Sequence, residues 1–199
     1  MSELILNVFT YGPNEKRVEI EMQPTIPENL RGNIPKMQEW AKNLIMVSCW
    51  DMKHTNNWLC EICSKLSRET KVQMASRIHF AQPRITLYIH HLCEAGTNPC
   101  HQIIVNQGVM MGAVARGGIP DRGLTEDQYI PKPDGVEYPL AASCCGCKDD
   151  NTAKRGVKMS RCGGCKLSRY YSTKCQSDDW KRHKKICKYV KSVKWVNWD

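Results

Sequence analysis

Cys144-Cys145-Gly146-Cys147, Cys162-Gly163-Gly164-Cys165 and the run Tyr170-Tyr171-Ser172-Thr173-Lys174-Cys175-Gln176-Ser177-Asp178-Asp179-Trp180-Lys181-Arg182-His183-Lys184-Lys185-Ile186-Cys187 lie close together in the C-terminal part of the chain. A two-residue gap between cysteines lets both sulfurs reach one metal ion at about 2.3 Å. Ser177 reads as the cap of a helix whose first turn holds Asp178 and Asp179. On that helix His183 and Cys187 are four apart and share a face, with Cβ atoms about 5–6 Å apart, a gap that a tetrahedral zinc ion bridges. Large apolar residues are sparse between 144 and 187: Val157, Met159, Leu167, Tyr170, Tyr171, Trp180 and Ile186. A segment of this size does not fold on so thin a core, so its cysteines read as metal thiolates rather than as buried free thiols. Structural zinc contributes an apparent ~10–16 kcal/mol in finger peptides, enough to decide folding.

This order of residues resembles a MYND-type zinc finger over 144–187. The Cys-Gln-x2-Asp-Trp-x2-His-Lys-x2-Cys run from Cys175 to Cys187 separates it from RING and LIM patterns. The wider chain resembles a group of fungal MYND proteins. The resemblance implies an irregular finger that ends in a short helix and holds two interleaved Zn2+ ions. One ion would take Cys162, Cys165, His183 and Cys187. The other would take Cys144, Cys147 and Cys175, and here the chain departs from the family, because Tyr171 stands where a further cysteine is expected. A Tyr171 phenolate, the adjacent Cys145, or water at a labile site are the three ways to complete it. The resemblance also assigns peptide binding to Gln176 and Trp180, which in the family take short proline-rich segments. Gly163 lacks the polar side chain that some members use after that cysteine.

Moving outward, the tail beyond the finger, residues 188–199, reads as a basic and aromatic extension containing Trp195 and Trp198. Upstream, Gly117, Gly118, Pro120, Gly123, Pro131, Pro133, Gly135 and Pro139 break all periodicity, so 117–140 reads as a connector. Residues 1–116 read as a small mixed domain, making the whole chain α+β. Leu4–Tyr11 and Val18–Met22 are strand signals, joined by the turn residues Gly12-Pro13-Asn14 into a hairpin. Ile34, Met37, Trp40, Ala41, Leu44 and Ile45 recur at helical spacing behind a candidate cap, Asn33. Arg84–His90 is a strand signal, and a helix opens at Asn98-Pro99 and runs through Ile103, Ile104 and Met111. Trp40, Trp50 and Trp58 read as core.

A second metal pattern lies in this upstream region. Cys60-x2-Cys63 is a knuckle, and Cys93-x6-Cys100 supplies a distant pair, with His90, His91 and His101 nearby. The spacing is ribbon-like and points to a third zinc, with buried free thiols as the alternative. Cys49, His54 and His79 have no partners at ligand spacing.

Charge is unevenly placed. The chain has 29 Lys or Arg against 20 Asp or Glu, and residues 144–199 hold 15 of the former and 5 of the latter. Residues 1–143 are therefore close to neutral. Lys181-Arg182-His183-Lys184-Lys185 resembles a nuclear-import run, but it reads equally as the solvated face of the zinc helix. No charged leader and apolar stretch of signal-peptide type opens the chain, and no run approaches the roughly 20 apolar residues of a membrane helix. An intracellular protein, nuclear or cytoplasmic, with no membrane partner is expected. With nothing pointing to secretion, the 12 cysteines belong to reduced thiols or metal sites rather than disulfides.

No phosphate loop, Gly-x-Ser-x-Gly or His-Glu-x2-His is present, and 144–187 contains no Glu to serve a zinc-bound water as general base. Although MYND fingers also accompany SET methyltransferase domains, no Asn-His-Ser-Cys signature is found. The expectation is a non-enzymatic, zinc-binding adaptor that engages a protein partner, with transcriptional regulation as its implied setting. Nucleic-acid binding by the basic C-terminal part is the alternative, and a degenerate relative of the SET–MYND methyltransferases is the more remote one.

Overall fold

A computed structural model of the chain describes residues 3–94, 98–115 and 135–198. The strand signals become a hairpin: β1 (Ile5–Tyr11) pairs antiparallel with β2 (Arg17–Met22), with Val8 opposite Ile20. Both strands alternate strictly between buried and half-buried positions, the period of two that a one-sided sheet imposes. The helix predicted behind Asn33 is α1 (Ile34–Lys53), and the Asn33 side chain accepts from the Lys36 amide. Met37, Ala41, Ile45, Ser48 and Met52 are its buried stripe.

The central strand signal becomes β4 (Arg84–Leu92), which runs parallel to β1 with Val8 beside Leu87. A strand not foreseen, β3 (Glu69–Arg77), pairs antiparallel with β4 at the edge of the sheet. Its residues are half-buried or exposed, so no alternation of apolar and polar residues announces it. Helix α2 (Pro99–Ala115) follows. Of the connector read over 117–140, residues 117–134 lie outside those described; Leu140 and Ala141 are buried.

In the C-terminal part, β5 (Ser160–Arg161) and β6 (Arg169–Tyr170) form a minimal hairpin, and α3 (Thr173–Cys187) follows. The expected cap at Ser177 is displaced by a turn. Ser172 is the cap and accepts from the Cys175 amide, so Ser177 and the two aspartates lie inside the helix. A hydroxyl one turn earlier, next to extended backbone, was the better-placed acceptor.

The residues read as a tail form a strand. β7 (Val190–Val196) pairs antiparallel with β2, giving the sheet order β3-β4-β1-β2-β7. Trp198 turns back against Trp58, with ring centroids 5.1 Å apart, and donates its indole N–H to the Arg17 carbonyl. Trp58 is fully buried, while Trp40 and Trp50 are half-buried against the core.

One face of the sheet is therefore covered by the main core, while on the other Gln73 of β3 donates to the Ile104 carbonyl of α2. Leu6, Val8, Val18, Ile20, Leu87 and Ile89 share one continuous apolar cluster with Met37, Ala41 and Met52 of α1. Leu167, Tyr170 and Ile186 of the C-terminal part belong to the same cluster. That shared burial supplies the apolar support that residues 144–187 lack by themselves. No described helix is long and apolar enough to cross a membrane.

Candidate metal centre and peptide face

Three turns of the same local design each present one Cys-x2-Cys pair, two of them in the C-terminal part, where α3 supplies Cys175, His183 and Cys187. In Cys144–Cys147 the residue after the second cysteine, Lys148, adopts φ of 61° and donates its amide to the Cys144 carbonyl at 2.9 Å. In Cys162–Cys165 Lys166 does the same, with φ of 59° and a 2.9 Å bond to the Cys162 carbonyl. Such a turn directs both thiols of a pair to one side. Gly146 permits close packing of the first turn on α3: a Cβ there would lie 2.5 Å from the Cys175 carbonyl oxygen.

Two ligand groups result. The Cys162, Cys165 and Cys187 sulfurs and a ring nitrogen of His183 lie within 4.8 Å of one another. The Cys162–Cys187 sulfur separation is 3.8 Å, and Cys165 Sγ lies 3.6 Å from His183 Nε2. A zinc tetrahedron with ordinary bond lengths has edges of about 3.8 Å between sulfurs and about 3.6 Å between sulfur and nitrogen. Burial opposes ionisation of Cys162, but the amides of Cys165 and Gly164 and the His183 ring outweigh it and bring the thiol down to about 7. Cys187 is pushed up to about 12 by burial and by the neighbouring Cys165 and Cys162 sulfurs. Thiolates crowded in this way repel one another, and a divalent cation among them relieves that repulsion.

The other group contains only Cys144, Cys147 and Cys175, again within 4.8 Å. Ser172 donates its hydroxyl to Cys175 and lowers the pKa of that thiol against the opposing effect of burial. Tyr171 contributes its amide to Cys144 Sγ at 3.3 Å, while its side chain is 57% exposed. Cys145 points elsewhere. Its sulfur lies 3.3 Å from the Arg182 guanidinium and 3.8 and 3.9 Å from carboxylate oxygens of Asp51 and Asp179. Burial and the Asp51 charge push this thiol well above its usual range. The Asp51, Cys145 and Asp179 atoms stand close enough for a metal, but Arg182 already bonds to all three.

Asp51 is a functional residue that the motif reading missed. Although it belongs to α1, far from the finger in sequence, it is fully buried beneath it. Its Oδ1 accepts from His183 Nδ1 at 2.7 Å and from the Ser168 hydroxyl at 2.7 Å, and Arg182 spans both carboxylate oxygens at 2.6 and 3.0 Å. Burial raises the Asp51 pKa, but His183 and Arg182 outweigh it and hold the carboxyl below the usual carboxylate range. With Nδ1 engaged by Asp51, Nε2 of His183 is left to face the sulfurs, as a carboxylate–histidine–zinc arrangement requires. The available signal was an aspartate three residues beyond Ser48, on the buried side of α1.

The outward face of α3 carries a different surface. Thr173, Gln176, Ser177 and Trp180 line a shallow groove, and Trp180 is 45% exposed. His183 and Ile186, on the opposite face, are buried. The helix thus divides its labour between metal and solvent at helical spacing.

Comparison with known proteins agrees with this geometry. Residues 142–187 match the family model of the MYND finger. The chain is 38% identical over 71 residues to the histone-lysine N-methyltransferase SMYD3 of Homo sapiens, covering 36% of this chain and 17% of that protein. It is 39% identical over 86 residues to a SET and MYND domain-containing protein of Dictyostelium discoideum, covering 41% of this chain and 16% of that one. The chain thus spans about a sixth of the length of these curated relatives. No solved structure matches it significantly. The chain carries a MYND finger, a zinc-binding module of the protein-interaction type, and its clustered thiols and imidazole are suited to zinc.

Proposed function

We propose that the protein is a non-enzymatic adaptor whose finger binds two zinc ions and presents α3 to a short proline-rich segment of a partner protein. Cys162, Cys165, His183 and Cys187 hold the first ion. Cys144, Cys147 and Cys175 hold the second, with solvent at the remaining position. The observation that carries the reading is the groove of Thr173, Gln176, Ser177 and Trp180 on the solvent side of the zinc helix. An exposed indole with an amide one turn away suits a polyproline ridge. The ring packs on the pyrrolidines and the amide bonds a main-chain carbonyl that carries no competing intrachain bond.

The metal fixes the helix, and the helix fixes the groove, so a flexible peptide meets a surface already ordered. A proline-rich peptide titrated calorimetrically into the full chain should bind, and Trp180→Ala should weaken it by about 30-fold, the loss expected of a central aromatic anchor. Affinity that survives Trp180→Ala and Gln176→Ala unchanged refutes the groove. Steep weakening with salt, alongside binding of nucleic acid, would instead mark the lysine-rich exterior as a polyanion site.

A further inference from the structure

Outside the finger, four thiols from three separate segments converge. Cys60 and Cys63 belong to the loop after α1, Cys93 follows β4, and Cys100 sits in the first turn of α2. Their sulfurs all lie within 4.8 Å of one another, and none is in a disulfide. We propose that Cys60, Cys63, Cys93 and Cys100 form a third zinc site, a structural tetrathiolate independent of the finger, which staples α2 to the sheet.

The first support is an internal comparison. Ser64, following the second cysteine of the pair, adopts φ of 59° and donates its amide to the Cys60 carbonyl at 2.9 Å. Lys148 and Lys166 have the same conformation and the same bond in the two turns of the finger. The amide two residues beyond the second cysteine also reaches that sulfur in all three: Lys65 to Cys63, Asp149 to Cys147 and Leu167 to Cys165. Paired backbone flanks two of the turns, as the Leu59–Leu66 bridge here and as β5 with β6 around Cys162–Cys165. A serine in the left-handed region is an uncommon choice, and here it serves a turn that aims two thiols at one point. The chain thus builds this thiol-presenting turn a third time, outside the matched finger.

The second support is the geometry of the set. Four sulfurs in mutual proximity are what a tetrahedral ion with bonds of about 2.3 Å collects, and a disulfide would engage them only two at a time. A tetrathiolate selects zinc or iron from the common metals, and zinc is the ion the rest of this chain is built for.

The third support is what the site would hold in place. Among the described residues of α2, Cys100, His101 and Ile104 are the buried ones and Val105, Gly108, Gly112 and Ala113 are half-buried, while Ile103, Met110, Met111 and Val114 remain exposed. The apolar cluster beneath the helix comprises Cys60, Leu92, Cys100 and Ile104, edged by Ile62 and Cys93, and is separate from the main core. Half of its members are the thiols themselves. A helix with so little apolar anchorage gains its attachment from the metal, which ties its first turn to the end of β4 and to the knuckle.

The test uses the full chain purified without chelators. Native mass spectrometry should find about three zinc ions per chain, and Cys93→Ser should reduce this by about one. Cadmium-113 to proton correlation on the cadmium-substituted wild type identifies ligands without a variant. One cadmium should couple to the β-protons of Cys60, Cys63, Cys93 and Cys100 together. His183→Ala should disturb a finger resonance and leave that one in place, so failure of the finger assignment and failure of this one remain distinguishable. A wild-type chain in which these four thiols show no common metal coupling, or in which they hold iron, overturns the proposal.

Discussion

The contact between α1 and the finger invites a quantitative test at Asp51. Asp51→Asn keeps the shape of the side chain and removes its charge; Asp51→Ala removes the acceptor altogether. In the wild type the carboxylate accepts from His183 Nδ1, from Ser168 and twice from Arg182. With alanine, His183 is free to rotate or to exchange tautomers, and a metal ligand loses its orienting partner. Losses of this kind cost about 10–100-fold in metal affinity, or ~1.4–2.7 kcal/mol. Arg182 retains Asp179 at 2.6 and 2.7 Å, so its charge is not stranded. The global penalty for alanine should therefore fall at or below the ~3–5 kcal/mol typical of a broken buried pair. Asparagine can still accept from Nδ1 and should show the smaller zinc defect. The assay is graded chelation of the full chain, with release followed by a zinc indicator. Only the step belonging to Cys162, Cys165, His183 and Cys187 should move. Identical release curves for wild type and Asp51→Ala, or an equal shift of the Cys144, Cys147 and Cys175 step, would refute the reasoning.

Other expectations follow from particular residues. Tyr171→Cys should supply a thiolate to the three-sulfur site and raise the chelator concentration needed to empty it; no change in that step would show that position 171 does not face the ion. Gly146→Ala should loosen the same site, since the new methyl meets the Cys175 carbonyl at 2.5 Å, and an unaltered zinc content would contradict the packing. His54 is fully buried, with Nδ1 bonded to the Ser143 carbonyl, and burial followed by the nearby Lys53 charge holds its pKa down to about 3. The unfolded chain takes up this proton first, so the associated stability is complete above pH ~6.5 and declines as pH falls toward ~3. From pH 7.5 to pH 5 the contribution is about 2 kcal/mol. His54→Asn keeps a donor for Ser143 and should shrink the measured pH dependence of unfolding by that amount, and a dependence equal to wild type would exclude the assignment.

What the sequence disclosed, and what it concealed, divides along a physical line. The β1–β2 hairpin, α1, β4 and α2 could be read because each carries its own periodicity or turn chemistry. The metal turns could be read because ligand spacing is local. β3 was hidden because an edge strand with no buried face shows no alternation. β7 was hidden for a similar reason: in Val190-Lys191-Ser192-Val193-Lys194-Trp195-Val196 the apolar residues keep no strict alternation and none is fully buried, and only pairing with β2 makes it a strand. The roles of Asp51 and Cys145 were illegible because both depend on Arg182, and Asp51 on His183 as well, more than thirty residues away. A thiol beside a ligand pair looks like a spare ligand until its direction is known. The helix cap was misplaced by a turn because Ser172 and Ser177 are chemically alike and only backbone geometry distinguishes them.

The placement of β7 sets an order of events during synthesis. The outer edge of β2 is completed by residues 190–196, which leave the ribosome only after the whole finger has emerged. Until then the hairpin offers bare amides and carbonyls to any neighbouring strand, and one flank of its apolar face lacks Leu167, Tyr170 and Ile186. Zinc capture by the finger brings that missing flank and its trailing strand within reach of the sheet. Loss of the metal would thus leave the sheet itself unfinished, with the edge of β2 unpaired, rather than only the finger undone.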